Sequence, residues 1–170
     1  ALLHAVAHIE LNAIDLAYDM ALRFAPALAA LGLDWRQFVF DWVKVGGEEA
    51  SHFKALSDRL EDLGASYGDL PAHDGLWETA ARTADDVLAR LALAPLVLEA
   101  RGLDVTPRII DDLEQVGETT SALILRGIYA DEIGHDRLDI TKPRRRRQAA
   151  TDRDSRKAWL LHHITVALTR

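Results

Sequence analysis

The chain has 170 residues, of which 49% are hydrophobic and 28% charged, enough apolar material for one buried core and too much for a wholly disordered chain. It contains no cysteine, which excludes disulfides, thiolate zinc sites, cysteine-ligated iron–sulfur clusters and cysteine nucleophiles. The net charge of -7 argues against nucleic-acid binding over the whole surface.

The hydropathy pattern predicts a protein outside the membrane. The most apolar windows, such as Leu91 to Leu98, are much shorter than the roughly 18 apolar residues of a membrane span. The chain enters a helical pattern at Ala1, without the basic segment and apolar run of a secretory signal. We therefore expect a cytoplasmic protein with no membrane partner, and a further segment upstream of Ala1.

Two long amphipathic helices are predicted first. The first runs to about Ala25, with Pro26 beyond it. The second begins after Asp34, forms a capping box with Gln37 and ends at Gly64. Apolar spacings of three and four predict the inward face of the first helix as Leu3, Val6, Glu10, Ala13, Ala17, Met20 and Phe24. The inward face of the second is predicted as Phe38, Trp42, Val45, Glu49, His52, Leu56, Leu60 and Leu63.

A loop and two further helices are predicted next. Residues 65–75 are rich in glycine and aspartate and predict a loop, followed by a third helix from about Leu76 to Arg101 that ends at Gly102. Thr106 and Pro107 predict the start of a fourth helix. The predicted inward face of the third helix is Ala81, Ala84, Leu88, Ala92, Pro95 and Glu99. That of the fourth is Ile110, Leu113, Gly117, Ser121, Leu125, Ile128, Glu132 and His135.

These patterns predict an all-α fold, with a four-helix bundle over residues 1–136 and a long crossover between helices 2 and 3. Residues 137–157 predict a basic polar linker, and residues 158–170 a short C-terminal helix. Within the linker, the run Arg144–Arg147 is a candidate contact for nucleic-acid phosphates, with a solvated tail as the alternative.

Polar side chains interrupt the inward faces of all four predicted helices. The first and third helices each carry a lone glutamate, Glu10 and Glu99. The second and fourth each carry Glu-x-x-His, and residues three apart share one helix face, so both side chains of a pair reach one point in the interior. These pairs are Glu49 with His52 and Glu132 with His135.

Four buried carboxylates require compensating positive charge, because each loses roughly several kcal/mol of hydration free energy and repels the others. Two divalent cations would offset these charges, and carboxylate and imidazole ligands without thiolate suit iron or manganese. For single residues, the alternatives are a boundary glutamate that reaches solvent and a hydrogen-bonded core histidine. The predicted metal ligands are Glu10, Glu49, His52, Glu99, Glu132 and His135.

These six residues resemble the ligand set of the ferritin-like di-iron carboxylate superfamily. The stretches Trp42 to Phe53, Tyr67 to Trp77 and Leu98 to Pro107 are similar to an uncharacterised bacterial ferritin-like family, described as a domain of unknown function, and this similarity covers roughly residues 1–136. The di-iron tRNA-modifying hydroxylases are similar more distantly. After His135 the sequence departs from the pattern, which would continue the fourth helix as an apolar one.

The resemblance implies a ferritin-like bundle that holds two iron ions, or manganese, and activates oxygen. It implies that Glu49 and Glu132 bridge the ions, and that each histidine gives one nitrogen ligand. We expect an oxidase or monooxygenase of unknown substrate, either a small molecule or a macromolecule, with electrons from an external donor. The alternatives are a ferroxidase or iron-handling protein, and a non-catalytic binding protein stabilised by metal. We also consider a homodimer.

Residues near the predicted ligands have weaker functional interpretations. Glu48 and Asp131 precede the motif acids and are predicted to face solvent. His4 and His8 stand one turn apart, a spacing that can bind metal, but they lie off the inward face and are expected at the surface or an interface. Pro95 is expected to kink the third helix beside the site. Three flanking residues are either outer hydrogen-bond partners or packing residues: Asn12, Trp42 and Tyr129.

Overall fold

The computed structural model describes the backbone of residues 1–93 and 95–135, and the side chains of residues 1–91, 93 and 104–132. The described residues contain helices and no strand, so the prediction of an all-α fold is confirmed. No described helix is long and apolar enough to cross a membrane. The helices are α1 (Leu2–Ala30), α2 (Trp35–Asp62), α3 (Gly75–Arg82), α4 (Val87–Leu93), α5 (Pro95–Gln115) and α6 (Thr119–His135).

Helix α1 is longer than predicted. The sequence places its end near Ala25, but the helix continues through Pro26 to Ala30. Proline removes the hydrogen bond to the carbonyl four residues earlier, which here belongs to Leu22. Because Leu22 is 79% exposed, water can solvate this carbonyl and the helix need not end. The inward face is confirmed, since five of its residues are buried and two half-buried: Leu3, Val6, Glu10, Ala13, Ala17, Met20 and Phe24.

Helix α2 begins and ends where predicted, although its capping box is incomplete. The side chain of Asp34 accepts a hydrogen bond from the Gln37 backbone N–H at 3.1 Å. The Gln37 side chain donates to Asp41 at 2.7 Å, so the second bond predicted for the box is replaced by one within the helix. Gly64 follows the helix with a φ of +77°, a conformation that glycine adopts without strain.

The predicted third helix is wrong in its bounds. The chain forms α3, a turn over residues 83–86, and α4 before α5 begins at Pro95. Pro95 is the first described residue of α5, and since residue 94 lies outside the described backbone, the kink expected at Pro95 stays a prediction. The predicted inward Ala81 is exposed. Among the described side chains of α3, α4 and the turn between them, the buried ones are Ala80, Thr83 and Arg90.

The predicted boundary between the third and fourth helices is also wrong. Helix α5 passes through Gly102 and Pro107 and ends at Gln115. Pro107 lies inside this helix and is exposed. The chain instead leaves the helix at Gly117, with a φ of +84°, and α6 follows. The break at Gly117 falls within the fourth helix predicted from the sequence.

Two apolar clusters lie along α1 and α2. The first is built from all four long helices and contains Leu3, Ala7, Leu56, Leu60, Ile110, Ala122, Leu125 and Ile128. The second joins the C-terminal half of α1 to the N-terminal half of α2, and contains Ala17, Met20, Ala21, Phe24, Phe38 and Trp42. Along α1, Glu10 lies between the residues of the two clusters, and along α2 so do Glu49 and His52. The acidic site therefore stands between two apolar regions.

The buried side chain of Arg90 ties α4 to α1 through a polar network. Its guanidinium group bonds Asp19 of α1 at 2.5 Å and donates to Thr83 Oγ1 at 2.8 Å and to the Ala80 carbonyl at 2.6 Å. Its side chain is 1% exposed. These contacts compensate the Arg90 charge, which burial without partners would destabilise.

The structure does not describe the C-terminal part of the chain. Two predictions therefore lie outside the described residues: the linker 137–157, with Arg144–Arg147, and the terminal helix 158–170.

Candidate metal centre

Three helices bring a histidine and three glutamates together inside the protein. Glu10 comes from α1, Glu49 and His52 from α2, and Glu132 from α6. The first three are buried, with exposed fractions of 7%, 6% and 5%. The Glu132 side chain is 21% exposed. One ligand atom from each of the four lies within 4.8 Å of the others, so the described residues could hold a metal ion.

The imidazole of His52 is the centre of this cluster. Its Nδ1 lies 3.3 Å from Glu49 Oε2, 3.6 Å from Glu10 Oε2 and 3.6 Å from Glu132 Oε1. The contact with Glu49 arises within one helix, because residues three apart share a face. The contacts with Glu10 and Glu132 arise from packing of α1 and α6 against α2.

Burial shifts the proton equilibrium of Glu49. Loss of hydration raises its pKa to about 7, since the charged carboxylate is disfavoured away from water. Glu10 raises the pKa further by hydrogen bonding and charge repulsion, while the hydrogen bond with His52 lowers it. Glu49 is therefore partly protonated near neutral pH.

His52 is shifted in the direction of its charged form. Burial alone would lower its pKa, but hydrogen bonds and charge interactions with Glu10 and Glu49 outweigh burial and raise the pKa to about 10. At neutral pH the imidazolium supplies positive charge at the point where the carboxylates converge.

The atoms of this cluster could bind a divalent cation in place of the imidazole proton. An imidazole N–H donates one good hydrogen bond, whereas three carboxylates face this nitrogen at 3.3 to 3.6 Å. A divalent cation offers a coordination position to each carboxylate and to the imidazole nitrogen. Oxygen and imidazole nitrogen ligands without sulfur suit iron, manganese and zinc among the common metals, and these ligands alone do not choose between them.

The outer side of His52 is held by a fifth residue. Its Nε2 lies 3.3 Å from Oδ2 of Asp131, whose side chain is 68% exposed. Asp131 is exposed, as predicted. Its contact with His52 was not predicted. A carboxylate on the second ring nitrogen fixes the orientation of a ligand histidine and increases its basicity.

The structure assembles four of the six predicted ligands. Glu99 lies on α5 and His135 is the last residue of α6, but their side chains lie outside the described part of the chain. The structure therefore shows the proximity of four of the six residues, and the metal-ligand roles of all six stay predictions. Glu48 is half-buried beside Glu49, where solvent exposure was predicted.

Sequence reasoning missed a group of ring contacts beside the site. His4, expected at the surface, is 3% exposed, and its Nε2 accepts the Gly68 backbone N–H at 3.0 Å. His8 bonds the Tyr67 hydroxyl at 2.8 Å. Asn12, a candidate outer partner, donates to the His8 carbonyl at 2.8 Å. Contacts between residues about 60 positions apart leave no local pattern, so sequence spacing could not reveal them.

Comparison with known proteins identifies relatives but no activity. Residues 1–139 match a family model described as a protein of unknown function, DUF455. An uncharacterized protein of Haemophilus influenzae is 49% identical over 136 residues, which are 79% of this chain and 47% of that protein. The chain thus spans about half the length of this curated relative. No solved structure matches the chain.

Proposed function

The chain belongs to the DUF455 family of proteins of unknown function, and from its buried site we propose that it is a dinuclear carboxylate protein binding two iron ions, or manganese. We propose that it acts as an oxygen-activating oxidase or monooxygenase on an unknown substrate. The observation that carries the proposal is the convergence of Glu10, Glu49, His52 and Glu132, whose ligand atoms lie within 4.8 Å of one another.

A ferritin-like bundle is the frame that we propose for this site. The four long helices all contribute to one apolar cluster, and three of them direct a carboxylate or imidazole to one point. The fourth, α5, carries Glu99 near its start. In this arrangement Glu99 and His135 complete the ligand set, because the second Glu-x-x-His repeats the first.

The residues of the chain have separate tasks in this proposal. The glutamates bind the ions and balance their charge, with Glu49 and Glu132 as bridging ligands by family resemblance. His52 gives Nδ1 as a ligand once its proton has left, and Asp131 accepts the N–H of the other ring nitrogen. The apolar clusters on either side limit access of water to the site. When bound, the iron pair supplies the electrons that reduce dioxygen.

An external electron donor and a cytoplasmic location belong to the same proposal. An oxidase or monooxygenase must have its iron centre reduced again after each turnover, and we propose that a donor outside the chain supplies these electrons.

Oxygen uptake after iron loading tests this function and separates it from the alternatives. The protein is loaded with Fe²⁺ under nitrogen and then exposed to oxygen, with and without an excess of a chemical reductant, and oxygen is followed with an electrode. An oxidase continues to consume oxygen while reductant remains. A ferroxidase consumes oxygen in proportion to the iron added and then stops. A metal-stabilised binding protein consumes none beyond free iron.

Two variants on α2 make the test specific. Glu49→Gln removes a buried carboxylate of the site, and Glu61→Gln removes an exposed one from the same helix. We expect Glu49→Gln to lose the protein-dependent oxygen uptake and Glu61→Gln to keep it. Uptake that is unchanged in Glu49→Gln, or independent of added iron, contradicts the proposal.

A further inference from the structure

The loop after α2 folds back onto the two helices that carry Glu10 and His52. Within this loop the Tyr67 hydroxyl lies 2.8 Å from Nδ1 of His8 on α1. His8 stands two residues before Glu10 on the same helix. The hydroxyl is therefore tied to the backbone segment that presents the first carboxylate of the site.

The bond between Tyr67 and His8 does not depend on the histidine tautomer. His8 Nε2 lies 3.0 Å from the His73 carbonyl oxygen and 3.0 Å from the Asn12 amide nitrogen. A carbonyl only accepts and an amide nitrogen only donates, so each neutral tautomer satisfies one of these neighbours. A hydroxyl both donates and accepts, so the Tyr67 contact with Nδ1 is a hydrogen bond in either tautomer.

The ring of Tyr67 contacts the other ligand-bearing helix. It meets Phe53 edge to face, with ring centroids 5.2 Å apart and an interplanar angle of 86°. Phe53 directly follows His52 on α2. Tyr67 also stacks on His4 of α1, with ring centroids 5.0 Å apart. Tyr67 thus contacts α1 at His4 and His8, which are one helical turn apart, and contacts α2 at the residue next to His52.

The loop itself is fixed by further bonds at the same place. The buried His4 accepts the backbone N–H groups of Gly68 at 3.0 Å and Leu70 at 3.4 Å. Asp69 accepts the Ser66 backbone N–H at 2.7 Å and closes a turn around Tyr67. Tyr67 is therefore presented by an ordered loop, which makes its contacts with the helices specific.

We propose that Tyr67 is a positioning residue of the metal centre, which fixes the spacing of α1 and α2 at the level of Glu10 and His52. This inference rests on the proposed metal site. Tyr67 does not touch the ligands; it acts through His8 and Phe53, the neighbours of two ligands. Removing its hydroxyl releases the α1 segment without changing the volume of the packed ring.

Metal binding by Tyr67→Phe tests this inference with Co²⁺ as the probe. Affinity is measured by competition with a chelator, and ligand geometry by the visible absorption of bound Co²⁺. Residues that orient ligands from outside typically change metal affinity by about 10-fold to 100-fold, and Tyr67 acts one step further out, so we expect about 10-fold weaker binding. We also expect the visible bands of the bound Co²⁺ to change in energy or intensity.

Tyr18→Phe is the matched control. Tyr18 lies on α1 with 40% of its surface exposed and packs on Gly46 of α2, so it loses the same hydroxyl at another contact of the two helices. We expect its Co²⁺ affinity and spectrum to equal those of the unaltered protein. Equal losses in both variants, or no change in Tyr67→Phe, overturn the positioning role.

His8→Phe keeps the test decisive if Tyr67→Phe folds poorly, because it removes the same hydrogen bond from the other partner. Where both single variants fold, a double-mutant cycle adds a second test. If the bond positions the site, the double variant loses no more Co²⁺ affinity than the weaker-binding single variant, whereas independent effects multiply and overturn the proposal. Failure of the unaltered protein to bind Co²⁺ or Fe²⁺ overturns the proposed function itself, and is thereby distinguished from failure of this inference.

Discussion

His52 is bonded on both ring nitrogens, with Asp131 Oδ2 lying 3.3 Å from its Nε2 while its Nδ1 faces Glu10, Glu49 and Glu132. Asp131 on α6 and Glu49 on α2 come from different helices and differ in exposure. Asp131 is largely exposed, whereas Glu49 is 6% exposed. The exposed Asp131 thus orients the imidazole, while the buried Glu10 and Glu49 stabilise its protonated form.

Removal of the Asp131 carboxylate should weaken metal binding without dismantling the site. In Asp131→Asn, a neutral amide replaces the charged acceptor that increases the basicity of His52 as a ligand, so we expect affinity for Mn²⁺ to fall about 10-fold. Asp111→Asn removes an exposed carboxylate of α5 and should leave affinity unchanged. Isothermal titration calorimetry measures both. Equal affinity in Asp131→Asn and the unaltered protein would show that the contact has no effect on the metal.

Metal binding should release protons, because the pKa values of two site residues are raised. At pH 7, His52 with a pKa of about 10 is protonated and Glu49 with a pKa of about 7 is roughly half protonated. Coordination requires both groups to deprotonate, so we expect release of about one to two protons per site. Calorimetric titration with Mn²⁺ in two buffers of different ionisation enthalpy gives this number.

The pH dependence provides an internal control for proton release. Protons compete with the metal below each raised pKa, so apparent affinity rises with pH, and rises more steeply below about pH 7 than above it. At about pH 8.5, Glu49 is already ionised and the release should fall toward about one proton. An affinity that is constant from about pH 6 to 8.5 would contradict the assigned protonation states.

The buried charge of Arg90 should be essential for stability. In Arg90→Met, Asp19 loses a partner at 2.5 Å and Thr83 and Ala80 lose a donor inside the protein, so we expect a loss of about 3 kcal/mol in the free energy of unfolding. Arg23 bonds the same Asp19 from the surface, with 43% of its side chain exposed. Arg23→Met should cost less than about 1 kcal/mol. Urea denaturation distinguishes them, and similar losses in both variants would count against this reading.

Two glycines should respond in opposite directions to alanine. Gly47 lies in α2 with open space where a Cβ would stand, so Gly47→Ala should stabilise the protein by about 0.5 to 1 kcal/mol. Gly117 has a φ of +84°, where a side chain is strained, so Gly117→Ala should destabilise it by about 1 kcal/mol. Thermal unfolding of both variants checks the signs. Stabilisation by Gly117→Ala would be incompatible with the break between α5 and α6.

Local signals predicted the start of α1 and both ends of α2, but not the end of α1 or the bounds of the later helices. Asp34 and Gly64 act on their nearest neighbours, so their effect can be read from the sequence. Gly102 and Gly117 carry the same local signal, yet only Gly117 ends a helix. The choice between them depends on packing. Arginine is usually exposed, so the sequence does not predict that Arg90 is buried. Its burial is possible because Asp19, on another helix, provides the counter-charge.

In the candidate site, too, contacts within one helix could be predicted from the sequence, whereas contacts between distant segments could not. The i, i+3 spacing of Glu49 and His52 predicted their contact within one helix, and the structure confirms it at 3.3 Å. Asp131 and Tyr67 reach the site region only through tertiary packing. Polar residues on an apolar face thus indicate which side chains enter the interior, while the partners that orient them require the fold.

Iron content after anaerobic loading tests the central claim most directly. The protein is incubated with excess Fe²⁺ under nitrogen, passed over a desalting column and analysed for iron per chain, beside the double variant Glu49→Ala with His52→Ala. If the six predicted residues bind a dinuclear centre, the unaltered protein retains about two iron ions and the double variant close to none. An unaltered protein with almost no iron, or a double variant with the same content, would contradict the claim.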